Sequence, residues 1–202
     1  MFYYAHSINT LNSLNEIDFD TGIEMDIRDE DGKIVLGHDP MQKDYSDIEP
    51  LLKELKGRPV IANIKSERVE EKFFSLLKEF SPKSNYFFLD SSFSMIIKYG
   101  KRLSFASRFS EYESLETSIN LIRNGLINWI WVDTFFNFPI NKKNFKVFNS
   151  LKANTCLTSP DLLGRPEDIK TYANLIKNYN VKFNAICCKK NNIKIWDKYL
   201  KE

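Results

Sequence analysis

Short apolar runs alternate with amphipathic helical periods along the whole chain, and this alternation constrains the fold more than any other feature. The runs at 2–6, 22–28, 59–65, 86–90, 103–108, 129–133, 155–159 and 185–188 are rich in β-branched or aromatic residues and read as strands. Between them, Val69, Phe73, Leu76, Leu77 and Phe80 recur at helical spacing, as do Ile169, Tyr172, Ala173, Ile176 and Tyr179. Each set marks a helix with one apolar face. Pro166 suits the first turn of the second helix, and 193–200 reads as a last one. A further run at 33–38 follows Asp31-Gly32, a tight-turn pair, and is expected to fold back on the second strand as a hairpin arm. Eight strands separated by helices predict an α/β fold, a compact (β/α)8 TIM barrel. An open doubly wound sheet has the same periodicity.

A chain of 202 residues suits one domain, expected over 1–202, and buries enough surface to fold without a staple. No stretch has the composition of a linker. The net charge of +2 argues against a nucleic-acid partner. No apolar run is long enough for a transmembrane segment. Nothing at the start of the sequence resembles a signal peptide. Cys156, Cys187 and Cys188 are an odd count with two adjacent, which is no disulfide framework and fits a reduced, cytoplasmic setting.

Parallel barrels keep their chemistry at the C-terminal ends of the strands. The predicted strands end in His6, Asp26, Lys65, Asp90, Arg108 and Asp133. Packing alone gives no reason for ionisable groups at so many strand ends. Glu24 and Asp26 are two apart on one strand, so both side chains take one face while Ile23, Met25 and Ile27 take the other. Two inward carboxylates repel each other and are costly to desolvate. Either a hard cation with oxygen ligands or the ammonium and guanidinium of Lys65 and Arg108 would offset that cost. Asn63 and Lys65 share a face of the third strand, where an amide oxygen suits a metal and an ammonium suits a phosphate. The only histidines, His6 and His38, sit at the ends of the first strand and of the hairpin arm. Imidazole moves protons near neutral pH, so the pair suits acid and base roles.

These residues resemble a known superfamily, the glycerophosphodiester phosphodiesterases and the related sphingomyelinase D-like phospholipases. The resemblance rests on His6-x-x-Asn9-Thr10, Gly22-Ile-Glu24-x-Asp26-Ile, Asp31-Gly32-Lys-Ile-Val-x-x-His38-Asp39 and Asn63-x-Lys65. The first three span about residues 3–40, and the spacing of the first histidine and Asn9 is closer to the sphingomyelinase D branch. The resemblance implies a (β/α)8 barrel that hydrolyses a phosphodiester with a divalent cation, Mg2+ or Ca2+. It makes Glu24 and Asp26 metal ligands and His6 and His38 the catalytic pair; Asn63, with its amide oxygen on the neighbouring strand, is the third candidate ligand. Lys65, Arg108, Asn9, Glu111 and Asp133 are then the candidate contacts to a small phosphodiester substrate. The chain departs from the family at Asn63, which stands where an acidic ligand is usual, and at Ser7, where one branch carries arginine. Arg108 is the expected substitute for that missing cation. A barrel that has lost catalysis and binds a phosphorylated ligand is the competing expectation.

Overall fold

The computed structural model describes residues 1–201 and has a mixed α/β fold in which most strands run parallel. The backbone forms two compact units, one of Tyr4–Phe105 and one of Met1–Tyr3 with 106–201.

The first unit holds β1 (Phe2–Ala5, from Tyr4 on), α1 (Leu11–Asn15), β2 (Gly22–Glu30), β3 (Lys33–Leu36), β4 (Ser46–Asp47), α2 (Ile48–Glu54), β5 (Val60–Ile64), α3 (Glu70–Phe80), β6 (Tyr86–Leu89) and α4 (Phe93–Tyr99). Strands β1, β2, β5 and β6 pair in that order, all parallel. Successive side chains of a strand alternate between faces, and the burial follows this alternation. Met25, Ala62 and Phe88 are register partners on one face, where Phe88 meets Phe73 of α3 edge-on at 5.8 Å. Glu24, Asp26 and Asn63 therefore take the other face. The register partners Asp26 and Asn63 stand beside each other across about 4.8 Å of sheet.

The hairpin arm forms as expected. β3 runs antiparallel to β2 with Glu30 opposite Lys33, leaving Asp31 and Gly32 as the turn. Both have positive φ, 47° and 73°, as a two-residue turn of the I′ type requires. The arm carries the chain back so that the Gly37 amide donates to the Asp26 carbonyl at 3.1 Å, placing His38 next to the acidic strand. Gly37 itself is dictated by packing: a Cβ there would lie 2.5 Å from the Tyr45 ring.

Arg58, only 8% exposed, ties this unit together below the strands. Its guanidinium donates to the carbonyls of Ile17, Asp18 and Thr21 at 3.0, 2.9 and 3.4 Å and lies over the Phe19 ring. Those carbonyls belong to the α1–β2 connection and have no regular secondary structure to satisfy them. Arg58→Ala is expected to destabilise the protein by about 2–4 kcal/mol, since buried acceptors lose a charged donor. Urea unfolding with an unchanged slope and a lower midpoint would report it, whereas a change below about 0.5 kcal/mol would refute it.

The second unit holds β7 (Ala106–Phe109), α5 (Leu115–Arg123), β8 (Trp129–Val132), α6 (Phe145–Asn149), β9 (Asn154–Thr158), α7 (Ile169–Asn178), β10 (Ala185–Cys188) and α8 (Ile193–Lys201). Strands β7 to β10 pair in chain order, all parallel. Phe109, Ile130, Val132, Leu157 and Ile186 share a core with Tyr172, Ala173 and Ile176 of α7 and with fully buried Trp196 of α8. Arg108, Trp131 and Thr158 lie on the opposite parity of their strands. The run at 103–108 was expected to be strand throughout, but β7 begins only at Ala106. Leu103 closes the turn after α4 by donating to Tyr99, and the Ser104 carbonyl accepts from Phe88. Pro166 opens a short 3-10 turn (Pro166–Asp168) that leads into α7.

Candidate active site

The acidic pair lies in the first unit and is fully buried: Glu24 and Asp26 are both 0% exposed. Each carboxylate is held by the loop that follows β1. Ser7 donates its amide to Glu24 Oε2 at 2.7 Å. Asn9 makes a reciprocal pair with Asp26, giving its side-chain N–H to Oδ2 at 2.7 Å and accepting the Asp26 amide on Oδ1 at 2.8 Å. Asn63 donates to Glu24 Oε1 at 2.8 Å. Ser7 adopts φ 58° and Asp90, just past β6, φ 63°, both left-handed conformations that cost a non-glycine residue about 1–2 kcal/mol. The tertiary structure sustains that strain at two strand ends, one of them carrying the amide that grips Glu24.

Electrostatics mark Glu24 as unusual. Burial pushes the Glu24 carboxyl above its ordinary value. His6 opposes the shift, Asp26 adds to it by like-charge repulsion, and the Ser7 and Asn63 donors pull it back. His6 Nε2 lies 3.7 Å from Glu24 Oε2, with the imidazole one-third exposed. Lys65 Nζ sits between Asp26 Oδ1 at 3.5 Å and Asp90 Oδ2 at 3.9 Å. His38 is more exposed, and its Nδ1 meets Asp39 Oδ1 at 2.8 Å. A carboxylate on one imidazole nitrogen fixes the ring and leaves the other nitrogen for proton transfer. The carbonyl of His38 accepts from Arg28 at 2.8 Å, which braces the end of the arm.

Two buried oxygens at this site have no hydrogen-bond donor, Asp26 Oδ1 and Asn63 Oδ1. They adjoin two buried carboxylates on register-paired strands, so the donor set is all oxygen, the set a hard cation prefers. Among the described residues no group of three or more His, Cys, Asp and Glu side chains is arranged for a metal. The third oxygen here is an amide, and only two of the donors carry charge. The residues present fit a Mg2+ or Ca2+ ion with a reduced ligand charge, and Lys65 already supplies part of the countercharge to Asp26.

Arg108, Glu111 and Asp133 lie in the second unit. Arg108 pairs with Asp133 Oδ2, and Asp133 Oδ1 accepts from Thr158 at 2.9 Å. Asp133 is 3% exposed and both its oxygens are engaged, so it orients Arg108. Glu111 accepts the backbone amides of Phe136 and Asn137 at 2.7 and 2.5 Å. Burial works against its ionisation, but those amides, Asn137 foremost, hold the carboxyl below its ordinary value. Expected as substrate contacts, Asn9 and Glu111 thus have their side chains committed to protein partners. The Asn9–Asp26 pairing is invisible in the sequence because it depends on the register of a loop against a strand. In the sequence Asp39 enters only as the neighbour of His38 in the shared motif and Ser7 only as a departure from it, and Arg28 carries no signal.

No family model matches the sequence, and no curated protein matches it either. The structure is similar over nearly its whole length to solved phosphodiesterases. A glycerophosphodiester phosphodiesterase from Thermotoga maritima has a TM-score of 0.67 at 15% identity, covering 96% of this chain and 97% of that one. A putative glycerophosphoryl diester phosphodiesterase from Agrobacterium tumefaciens has a TM-score of 0.65 at 12% identity, with 100% and 99% covered. An Oleispira antarctica phosphodiesterase in complex with the product sn-glycerol-3-phosphate has a TM-score of 0.64 at 14% identity, with 100% and 97% covered. The fold is that of the glycerophosphodiester phosphodiesterases.

Proposed function

We propose that the chain is a phosphoric diester hydrolase acting on a small glycerophosphodiester-like, sugar or nucleotide phosphodiester. The observation that carries the reading is the juxtaposition of His6, Glu24, Asp26, Asn63 and Lys65 on one face of three parallel strands. The fold likeness supports it, and one of the similar structures holds a glycerol phosphate product. The same likeness, with strands and helices alternating to the end of the chain, supports a single (β/α)8 barrel over 1–202. The buried cysteines Cys156, Cys187 and Cys188, two of them adjacent in the chain, support a reduced, cytoplasmic setting. Among the described residues no helix is long and apolar enough to cross a membrane.

Glu24, Asp26 and Asn63 would hold the cation, with Ser7 and Asn9 fixing the two carboxylates. Bound there, a divalent ion neutralises phosphate charge and stabilises the negative charge that builds in the transition state. Lys65 contacts a phosphate oxygen of the substrate as a point charge. In the second unit, Arg108, oriented by Asp133, is the candidate for a further phosphate contact. One imidazole takes a proton from water or from a neighbouring substrate hydroxyl. The other gives a proton to the departing alkoxide. Attack by a substrate hydroxyl yields a cyclic phosphate first; attack by water yields the monoester directly.

The direct test is turnover of bis(p-nitrophenyl) phosphate with Mg2+, with Ca2+ and with chelator. The reading expects turnover with at least one metal and loss of at least tenfold on chelation. One observation favours a second reading, a barrel that binds but does not cleave: the neutral Asn63 makes no added charge available to a metal. Glycerol 3-phosphate binding by calorimetry without turnover under any metal would select it.

A further inference from the structure

Lys65 stands between two carboxylates and makes a hydrogen bond to neither. Its Nζ lies 3.5 Å from Asp26 Oδ1 and 3.9 Å from Asp90 Oδ2. Both distances exceed the roughly 2.7–3.2 Å of an ordinary N–H···O bond. Asp26 Oδ1 is buried and has no hydrogen-bond donor. The lysine side chain is only 17% exposed, so the two acids, more than water, decide where the ammonium rests.

Each acid faces Lys65 for a different reason. Asp26 does so by the alternation of β2, and Asn9 holds its other oxygen, Oδ2. Asp90 follows β6, where Phe88 pairs in register with Ala62 and Leu89 with Asn63. Strict alternation would send Asp90 to the face of Phe88, which packs on Phe73 of α3. Its backbone instead turns left-handed, with φ 63°, and the alternation ends there. The carboxylate thereby reaches Lys65 on the face of Asp26 and Asn63. Aspartate is one of the few residues that tolerate this conformation.

The oxygen of Asp26 open to a divalent cation is Oδ1, the same one that Lys65 faces. Cation and ammonium then compete for one buried oxygen, where repulsion between like charges is strong. Asp90 offers the ammonium another acceptor at the more open edge of the site: its side chain is 23% exposed, that of Asp26 0%. We infer that Asp90 is a positioning residue, which receives Lys65 when a divalent cation occupies Asp26. The inference rests on the reading in which Glu24, Asp26 and Asn63 hold that cation. Without the cation Lys65 neutralises Asp26. With it, Lys65 moves toward Asp90 and keeps its charge in the site, where a phosphate oxygen meets it.

The test is calorimetric titration of the full chain with Mg2+ and with Ca2+, for wild type, Asp90→Asn, Lys65→Met and the double variant. Asparagine tolerates the left-handed backbone as aspartate does, so Asp90→Asn removes the charge alone. It is expected to weaken metal binding about 10–100-fold, because Lys65 then stays on Asp26. Lys65→Met is expected to tighten binding about tenfold, since the competing charge is gone. In the Lys65→Met background, Asp90→Asn is expected to change affinity by less than about threefold. A carboxylate that merely attracts the metal by its charge would show no such coupling, and its loss would weaken binding alike with and without Lys65. Melting each variant in chelator checks that it folds, and Lys65→Gln replaces Lys65→Met if the methionine variant does not. Equal losses in the two backgrounds, or metal binding by Asp90→Asn as tight as that of wild type, would overturn the inference and leave the cation site standing. Wild type that binds neither metal would overturn the cation site and the inference together.

Discussion

Replacing His6 or His38 by alanine is expected to lower kcat on a phosphodiester by about 10²–10⁴ each, with the protein still folded. Both imidazoles are partly exposed and neither sits in the apolar core, so truncation removes little packing. The double variant is expected to be no more than about tenfold worse than the poorer single variant, because an acid and a base that act in one transition state fail together. The choice of substrate separates the roles. An aryl diester leaves as a stabilised phenolate and gains little from a general acid, whereas an alkyl diester such as glycerophosphocholine needs the proton. The histidine that acts as acid is the one whose alanine variant keeps much more activity on the aryl substrate than on the alkyl one. The base loses both alike. His38, oriented by Asp39 and more exposed, is placed to reach a group at the rim of the site. His6, beside buried Glu24, sits deeper. Full activity surviving both replacements would end the catalytic assignment.

The acidic strand and the arm were legible because local rules suffice for them. Alternation on β2 separates Glu24 and Asp26 from Ile23, Met25 and Ile27, and Asp31-Gly32 can make a tight hairpin turn without strain. The face that Asn63 and Lys65 share followed from the same period of two. What holds the carboxylates was not legible. Ser7 reaches Glu24 only because its backbone turns left-handed, and Asn9 reaches Asp26 only because the loop after β1 folds over β2. Neither has a sequence signature. Arg58 reads as a surface cation yet is buried by three carbonyls some forty positions away in the chain. Glu111 at a strand end reads as a mouth residue, but two amides of a distant loop claim it. In each case the deciding partner is non-local, and a backbone group that needs a partner gives no sign of itself in the side-chain sequence.

Glu24→Gln is expected to abolish turnover and, in chelator, to make the protein more stable. In the absence of metal the wild-type fold keeps two fully buried carboxylates on one strand, with Lys65 nearest to Asp26 and not to Glu24. Burial raises the Glu24 pKa, so ionised Glu24 costs the folded state free energy that the unfolded chain does not bear. An amide of the same shape removes the charge. Its oxygen still accepts the Ser7 amide, and Asn63 can turn its unpartnered oxygen toward the new N–H group. The gain expected is about 1–3 kcal/mol, or roughly 2–12 °C in Tm for a chain of this size. The sign with pH follows from the direction of the shift. A carboxyl whose folded pKa is raised binds its proton more tightly when folded, so wild-type stability in chelator falls as pH climbs past 4.5, the ordinary value, toward the folded one. That part of the slope is absent from the variant. Adding Mg2+ or Ca2+ reverses the order, since metal binding raises the wild-type Tm by mass action and does little for a site that has lost one of its two charged ligands. Melting both proteins with and without metal between pH 4.5 and 8 reads all of this at once. A variant less stable than wild type in chelator would show that Glu24 is already fully compensated by its hydrogen bonds and His6, and would remove the physical reason for placing a cation there.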